Sequence, residues 1–178
     1  RLLAWWREEL HQMYGGRASH PVFVALRGTA ERYELPRQLF DDLITAFEHD
    51  QRVTRYRNFE EVFEYCRYSA NPVGRLVLRV AGVRDLALDR SSDALCTALQ
   101  LTNFWQDFGR DWRAGRLYVP REVQRLEGAD ETQLSQTTRT DAWARTIERC
   151  IAFTRQRFAE GRAVCDGVRG RLRAELRF

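Results

Sequence analysis

Asn103, Asp107 and Asp111 recur at intervals of four residues within Gln100-Leu-Thr-Asn-Phe-Trp-Gln-Asp-Phe-Gly-Arg-Asp111. Four residues of α-helix turn through about 400°, so each step drifts by only about 40° and the three span roughly 12 Å of one face. One oxygen-bearing side chain per turn is a half-site for a hard cation. Mg²⁺ takes one or two carboxylates and fills its octahedron with phosphate oxygens and water. Taken alone, the spacing favours an amphipathic helix with its acids in solvent. The neighbours argue otherwise. Leu99, Leu101, Phe104, Trp105 and Phe108 make nearly the whole circumference apolar, which predicts a buried helix whose carboxylates are paired or metal-bound.

Other acids are weaker candidates. Asp85, Asp89 and Asp93 share the same spacing, but Ser91-Ser92 and polar flanks read as a loop and a helix cap. Asp41, Asp42 and Asp50 read as a solvated helix edge. His11, His20 and His49 show no ligand spacing and are expected to be structural or exposed. Cys66, Cys96, Cys150 and Cys165 lack CxxC or zinc-type spacing, and no secretory signal opens the chain. Four reduced thiols in a cytoplasmic protein are expected.

The elements that must position these groups are helical, because apolar residues recur with helical periodicity and strand alternation is nearly absent. Leu2, Leu3, Trp6, Leu10, Met13 and Tyr14 share a face before Gly15-Gly16. Further helices are expected over 22–33 and from Pro36 to Asp50. A fourth starts after the N-cap Asn58, with Glu61 completing a capping box, and is kinked by Pro72 and Gly74. A polar connection over 84–91 leads to a helix over 92–114. Pro120 starts a short helix, 127–138 reads as a loop, and Asp141 caps a long last helix. The pattern predicts an all-α bundle around one interior.

Composition narrows the class. The 178 residues carry 30% charge, 44% apolar residues, five Trp, six Tyr and ten Phe, which describes a folded domain and excludes whole-chain disorder. No apolar run approaches the roughly 20 residues of a membrane span. All 29 basic residues are Arg. Guanidinium forks match phosphate oxygens, although codon usage in a GC-rich genome is the plainer account. Acids are interleaved with the arginines and no basic stripe stands out, so nucleic-acid binding is not expected.

The segment from Gln100 to Pro120 resembles the second aspartate-rich motif of the squalene/phytoene synthase family of trans-isoprenyl diphosphate synthases. Tyr65-Cys-Arg-Tyr68-Ser-Ala-Asn-Pro-Val-Gly74, with Arg55-Tyr56 before it, resembles the family's preceding substrate helix. The wording Ser-Ala-Asn-Pro-Val-Gly-Arg-Leu-Val-Leu is most similar to the bacterial hopanoid-pathway branch, which includes hydroxysqualene synthases. The resemblance covers almost the whole chain. It implies an isoprenoid-synthase bundle around a central cavity, Mg²⁺ as cofactor, and prenyl diphosphate substrates, presqualene or farnesyl diphosphate. By position it assigns Asn103, Asp107 and Asp111 to the metal, and Asp107 and Asp111 with Tyr65 or Tyr68 to catalysis. Arg55, Tyr56, Gln100, Asn103, Arg116 and Tyr118 are assigned to substrate.

Two reactions fit these motifs: water capture of the cation from presqualene diphosphate, and head-to-head condensation of two farnesyl diphosphates. A non-catalytic helical interaction module is the competing class, and the intact carboxylate set argues against it. The family's first aspartate motif is expected before Arg1. The chain is therefore expected to be one domain of 1–178 truncated at both ends, and inactive by itself. Greasy substrates make peripheral contact with the inner face of a membrane an expectation.

Overall fold

The computed structural model describes residues 1–135 and 140–176. Among these, all regular structure is helical apart from a single parallel bridge between Arg55 and Leu117. The fold is all-α, as expected. Helix α1 spans Leu2–Tyr14, α2 Pro21–Arg32 with Pro21 in its first turn, and α3 Arg37–Asp50. Asn58 caps α4 (Phe59–Ser69), its side-chain oxygen accepting from the Glu61 amide at 3.0 Å. The capping box does not close. The Glu61 carboxylate reaches one residue further back, to the Arg57 amide at 2.6 Å.

The expected kink at Pro72 and Gly74 is a complete break. Helix α4 ends at Ser69, and α5 runs Asn71–Val80 with Pro72 in its first turn, where a missing N–H costs no hydrogen bond. Gly74 serves packing instead. A Cβ there would lie 2.4 Å from Cys96 Sγ and 2.5 Å from Ser92 Oγ, so its absence lets α5 close on the next helix.

That helix starts earlier than the polar run 84–91 suggested. Asp85 accepts from the Ala87 and Leu88 amides and caps α6, Leu86–Gln106. The expected continuous helix to residue 114 is interrupted at Asp107, and α7 spans Phe108–Arg113. Asp107 and Gly109, on either side of Phe108, are poor helix formers, which makes this the weak point of the run. Helix α8 is Arg121–Glu127, and the expected loop contains a 3₁₀ turn over Glu131–Ser135. Residues 136–139 of that loop lie outside the described residues.

Thr140, not Asp141, caps α9 (Asp141–Gly167). Its extended backbone lets Oγ1 accept from the Trp143 amide at 3.3 Å, while Asp141 occupies the first turn where a negative charge suits the helix dipole. Helix α10 is Gly170–Glu175.

The central pair is α6 and α9, packed antiparallel. Ser91 Oγ accepts from the Val164 amide at 2.8 Å, and at the other end Trp105 Nε1 donates to Thr154 Oγ1 at 2.8 Å. Gly161 permits the close approach, since a Cβ there would stand 2.6 Å from the Leu95 backbone nitrogen. Beside this pair, Ala46, Tyr56, Val62, Tyr65, Cys66, Leu101, Phe104 and Tyr118 form one apolar cluster. Phe59, Leu117, Val119, Val123, Trp143 and Cys150 form a second. All four cysteines are free thiols. No helix among the described residues is long and apolar enough to cross a membrane.

Candidate active site

The break at Asp107 leaves the carboxylate column intact. The Asp107 amide donates to the Asn103 carbonyl at 2.9 Å, and the Asp111 amide to the Asp107 carbonyl at 2.9 Å. The helical pitch therefore carries across the junction, and Asn103, Asp107 and Asp111 stand one turn apart. The buried environment expected for this helix is not what surrounds them. Leu99 is 53% exposed, and Asn103 and Gln106 are exposed as well. The apolar circumference packs on one side only. Leu101 and Phe104 enter the core, whereas no described helix lies over the Leu99–Asn103 side.

Arg110 takes up the negative charge of the column. Its Nη2 donates to Asp107 at 2.5 Å, and its Nε lies 3.9 Å from an Asp111 oxygen. Partial burial raises the Asp111 carboxyl above its ordinary range and Asp107 adds to this, while Arg110 and Arg116 oppose it. Two carboxylates close enough to disfavour each other's charge are a place where a divalent cation is favoured. Among the described residues no three His, Cys, Asp or Glu converge on one point. The fit is thus to the Mg²⁺ half-site chemistry: Asp107 and Asp111 can supply two hard oxygens and Asn103 an amide oxygen, with the remaining positions left to phosphate and water.

The segment after α7 folds back under the column. The Arg116 amide donates to the Asp111 carbonyl at 2.8 Å, and the Leu117 amide to the Thr54 carbonyl at 2.9 Å. Tyr118 is thereby set between Phe104, Tyr56 and Tyr65, with ring centroids 3.7, 5.7 and 6.2 Å away. Arg116 is hydrogen-bonded to the Tyr118 hydroxyl and donates to the Asp50 carbonyl at 3.4 Å. Burial pushes the Tyr65 phenol well above its ordinary range, and the Asp50 carboxylate pushes it further. Tyr56, 1% exposed, has its hydroxyl buried without a hydrogen-bond partner.

The two candidate tyrosines differ in setting. Tyr65 is buried in the cluster beside the column, whereas Tyr68 is half-buried, with the Arg67 guanidinium 4.6 Å over its ring and hydrogen-bonded to its hydroxyl. Gln100 is half-buried one turn before Asn103. Arg55 stands apart from the column. Its Nε donates to both Glu131 oxygens at 2.9 Å, its Nη1 donates to the Gly115 carbonyl at 2.8 Å, and its guanidinium lies 5.4 Å over the Trp112 ring.

The remaining acids and histidines have structural partners. Asp85 is a cap; Asp89 pairs with Arg79 at 2.5 Å and Asp93 with Arg75 at 2.5 Å. Asp41 is not solvated: it is buried and faces Arg7, Arg37 and the His11 ring at 3.1–3.2 Å. His20 sits among Trp5, Trp6 and Phe23, and His49 stacks on Tyr56. Asp50, read as a solvated edge, instead turns toward Tyr65 and Tyr118. Sequence spacing carried no signal for that, because the approach is made by the end of α3.

Residues 1–178, the whole chain, match the family model described as squalene/phytoene synthase. The chain belongs to this family. Its fold is similar to that of squalene synthase HpnC from Alicyclobacillus acidocaldarius, with TM-score 0.95 and 40% identity over 98% of this chain and 66% of that one. It is 36% identical over 160 residues to a hydroxysqualene synthase of Rhodopseudomonas palustris, covering 89% of this chain and 54% of the relative. It is 31% identical over 161 residues to the chloroplastic phytoene synthase 1 of Zea mays, covering 87% and 39%. The squalene/phytoene synthase chain thus spans about half the length or less of these two curated relatives.

Proposed function

We propose that this chain supplies one metal-and-diphosphate wall of a Mg²⁺-dependent prenyl diphosphate enzyme that converts presqualene diphosphate to hydroxysqualene. The observation that carries the reading is the Asn103–Asp107–Asp111 column, held in register across the α6–α7 junction by its own backbone hydrogen bonds. Similarity to a hydroxysqualene synthase supports the choice of reaction. Since the chain covers 54% of that relative, the activity is proposed for a polypeptide of the relative's length.

Asp107 and Asp111 would hold Mg²⁺ together with Asn103, and Gln100 lines the same side. When bound, the ion would supply positive charge against the charge developing on the leaving diphosphate. Departure of diphosphate leaves a cyclopropylcarbinyl cation, which rearranges. A single water then adds its oxygen to the cation and loses a proton to give the alcohol. Buried Tyr65, whose neighbours hold its phenol protonated, presents a neutral hydroxyl toward the reacting end. Arg116 presents a fixed positive charge near the base of the column. The aromatic rings of Phe104 and Tyr118 provide a wall that excludes further water and whose faces favour a cation. Arg55 and Tyr56 act from behind: Arg55 ties the Gly115 turn to Glu131, and Tyr56 backs Tyr118. The greasy product is consistent with peripheral membrane contact.

Product analysis by mass spectrometry tests the reaction, with Mg²⁺ and no reductant and with presqualene and farnesyl diphosphate offered separately to the relative-length protein. Hydroxysqualene from presqualene diphosphate is expected. Presqualene diphosphate made from farnesyl diphosphate would assign the head-to-head condensation instead, the reading that similarity to phytoene synthase favours.

A further inference from the structure

A cavity of about 630 Å³ opens between α4, α5, α6 and α9, on a side of the molecule that the proposed reaction does not use. Its α6 lining includes Arg90, Ala94 and Thr97. Ala94 and Asn103 are nine residues apart, about 180° around a helix, so the cavity and the carboxylate column occupy opposite faces of α6. Four guanidinium groups line it, those of Arg67, Arg75, Arg90 and Arg157, against the two carboxylates of Asp93 and Glu160.

The pairing inside the cavity is uneven. Arg75 grips Asp93 through Nε and Nη2 at 2.9 and 2.5 Å, which fixes its guanidinium plane. Arg157 binds Glu160 at 2.6 Å and lies 4.8 Å over the Phe63 ring. Arg67 leans on Tyr68 and has no acidic partner, and Arg90 makes no hydrogen bond or close ion pair among the described residues. Arg90 feels the Asp85 carboxylate only at longer range. Two cations thus lack a close carboxylate beside two that are held rigid. A neutral donor adds to them. The Asn71 side-chain oxygen accepts from Thr97 Oγ1 at 3.0 Å, which leaves the amide NH₂ of this lining residue available as a donor.

We infer that this cavity is an anion site, distinct from the carboxylate column, that takes a phosphate-bearing ligand through Arg67, Arg90 and Asn71. Forked donors of fixed geometry match phosphate oxygens in bidentate fashion, which also gives part of the all-Arg composition a use. The volume lies within the range of small-ligand sites, and Phe63 with the alanines of α6 and α9 provides an apolar floor for an organic portion. The ligand chemistry is shared by free polyphosphates and phospholipid headgroups. The site needs no Mg²⁺, and it stands whether or not the proposed reaction does.

Calorimetric titration of the chain with inorganic tripolyphosphate in EDTA tests this, with sedimentation on phosphatidylglycerol vesicles as the second arm. Binding without divalent metal is expected, weakened about tenfold or more by the R67E/R90E pair and unchanged by D107N. An equal charge change far away on α8, R121E/R125E, should leave it within about twofold. Circular dichroism verifies that each variant is folded. Preferential binding of vesicles over tripolyphosphate assigns the headgroup, and the reverse assigns the free anion. Absence of binding in both arms, or equal weakening by the two charge-reversal pairs, overturns the site.

Discussion

The Tyr118 ring lies flat on Phe104, with centroids 3.7 Å apart and 6° between the planes. This stack joins the turn after α7 to the inner face of α6, the helix that carries Asn103. Both rings are nearly buried, and Phe104 is 3% exposed. The stack sets the distance between the Arg116–Tyr118 segment and the carboxylate column.

Phe104→Ala should therefore cost about 3–5 kcal/mol of stability through lost burial and the void it leaves. For a domain of this size that is a fall in Tm of roughly 6–20 °C. Calorimetry or thermal circular dichroism measures it. A fall of only one or two degrees would mean that Tyr118 is held by its backbone and not by the stack.

Asp107→Asn removes one charge from the column while keeping its shape. Mg²⁺-dependent binding of inorganic diphosphate should fall by more than the roughly 10–100-fold typical of losing an outer-shell partner of a metal site. Far-ultraviolet circular dichroism should not change, since Asp107 is half-buried and paired only with Arg110 and its backbone neighbours. Equal binding by the variant would remove the column from the site.

Asp89 and Arg79 form the most buried ion pair of α5 and α6, with side chains 4% and 14% exposed. Asp89→Ala strands a guanidinium in a low-dielectric setting and should destabilise by about 3–5 kcal/mol. The double variant Arg79→Met/Asp89→Leu should recover most of that in urea unfolding, because no charge is then left unpaired. A double variant as unstable as the single would show that the pair's specific hydrogen bonds are needed.

Alkaline pH should weaken the fold early. Burial pushes the Cys66 and Cys150 thiols from an ordinary 9.0 up to about 12. Between these values the native thiols keep their protons while those of the unfolded chain lose them. The unfolded state then binds fewer protons, so stability falls as pH rises from 9 toward 12. Urea midpoints at pH 7.5, 9 and 10.5 should decline, and Cys150→Val should flatten the slope. A midpoint independent of pH over this range would contradict the burial argument.

Helical periodicity, the Asn58 cap and the four-residue spacing of Asn103, Asp107 and Asp111 are local properties, and local hydrogen bonding is enough to realise them. For that reason the all-α class and the column could be read from the chain alone, and the motifs around Tyr65 and Gln100 placed it in its family. Boundaries depended on competition between neighbours. Asp85 starts α6 inside a polar run because its side chain accepts from the Ala87 and Leu88 amides, and α5 closes on Cys96 because Gly74 carries no Cβ.

Tertiary structure alone decided the rest. Asp41 reads as a surface acid until Arg7 and His11, more than 29 residues away, converge on it. Asp50 reaches Tyr65 only through the crossing of α3 and α4, and Arg55 is committed to Glu131, 76 residues distant. That the arginines of α4, α5 and α9 gather over the face of α6 opposite the carboxylate column is likewise a property of packing. Sequence specifies which residues can share a helix face; which of those faces meets another, and with what charge, is settled when the helices pack.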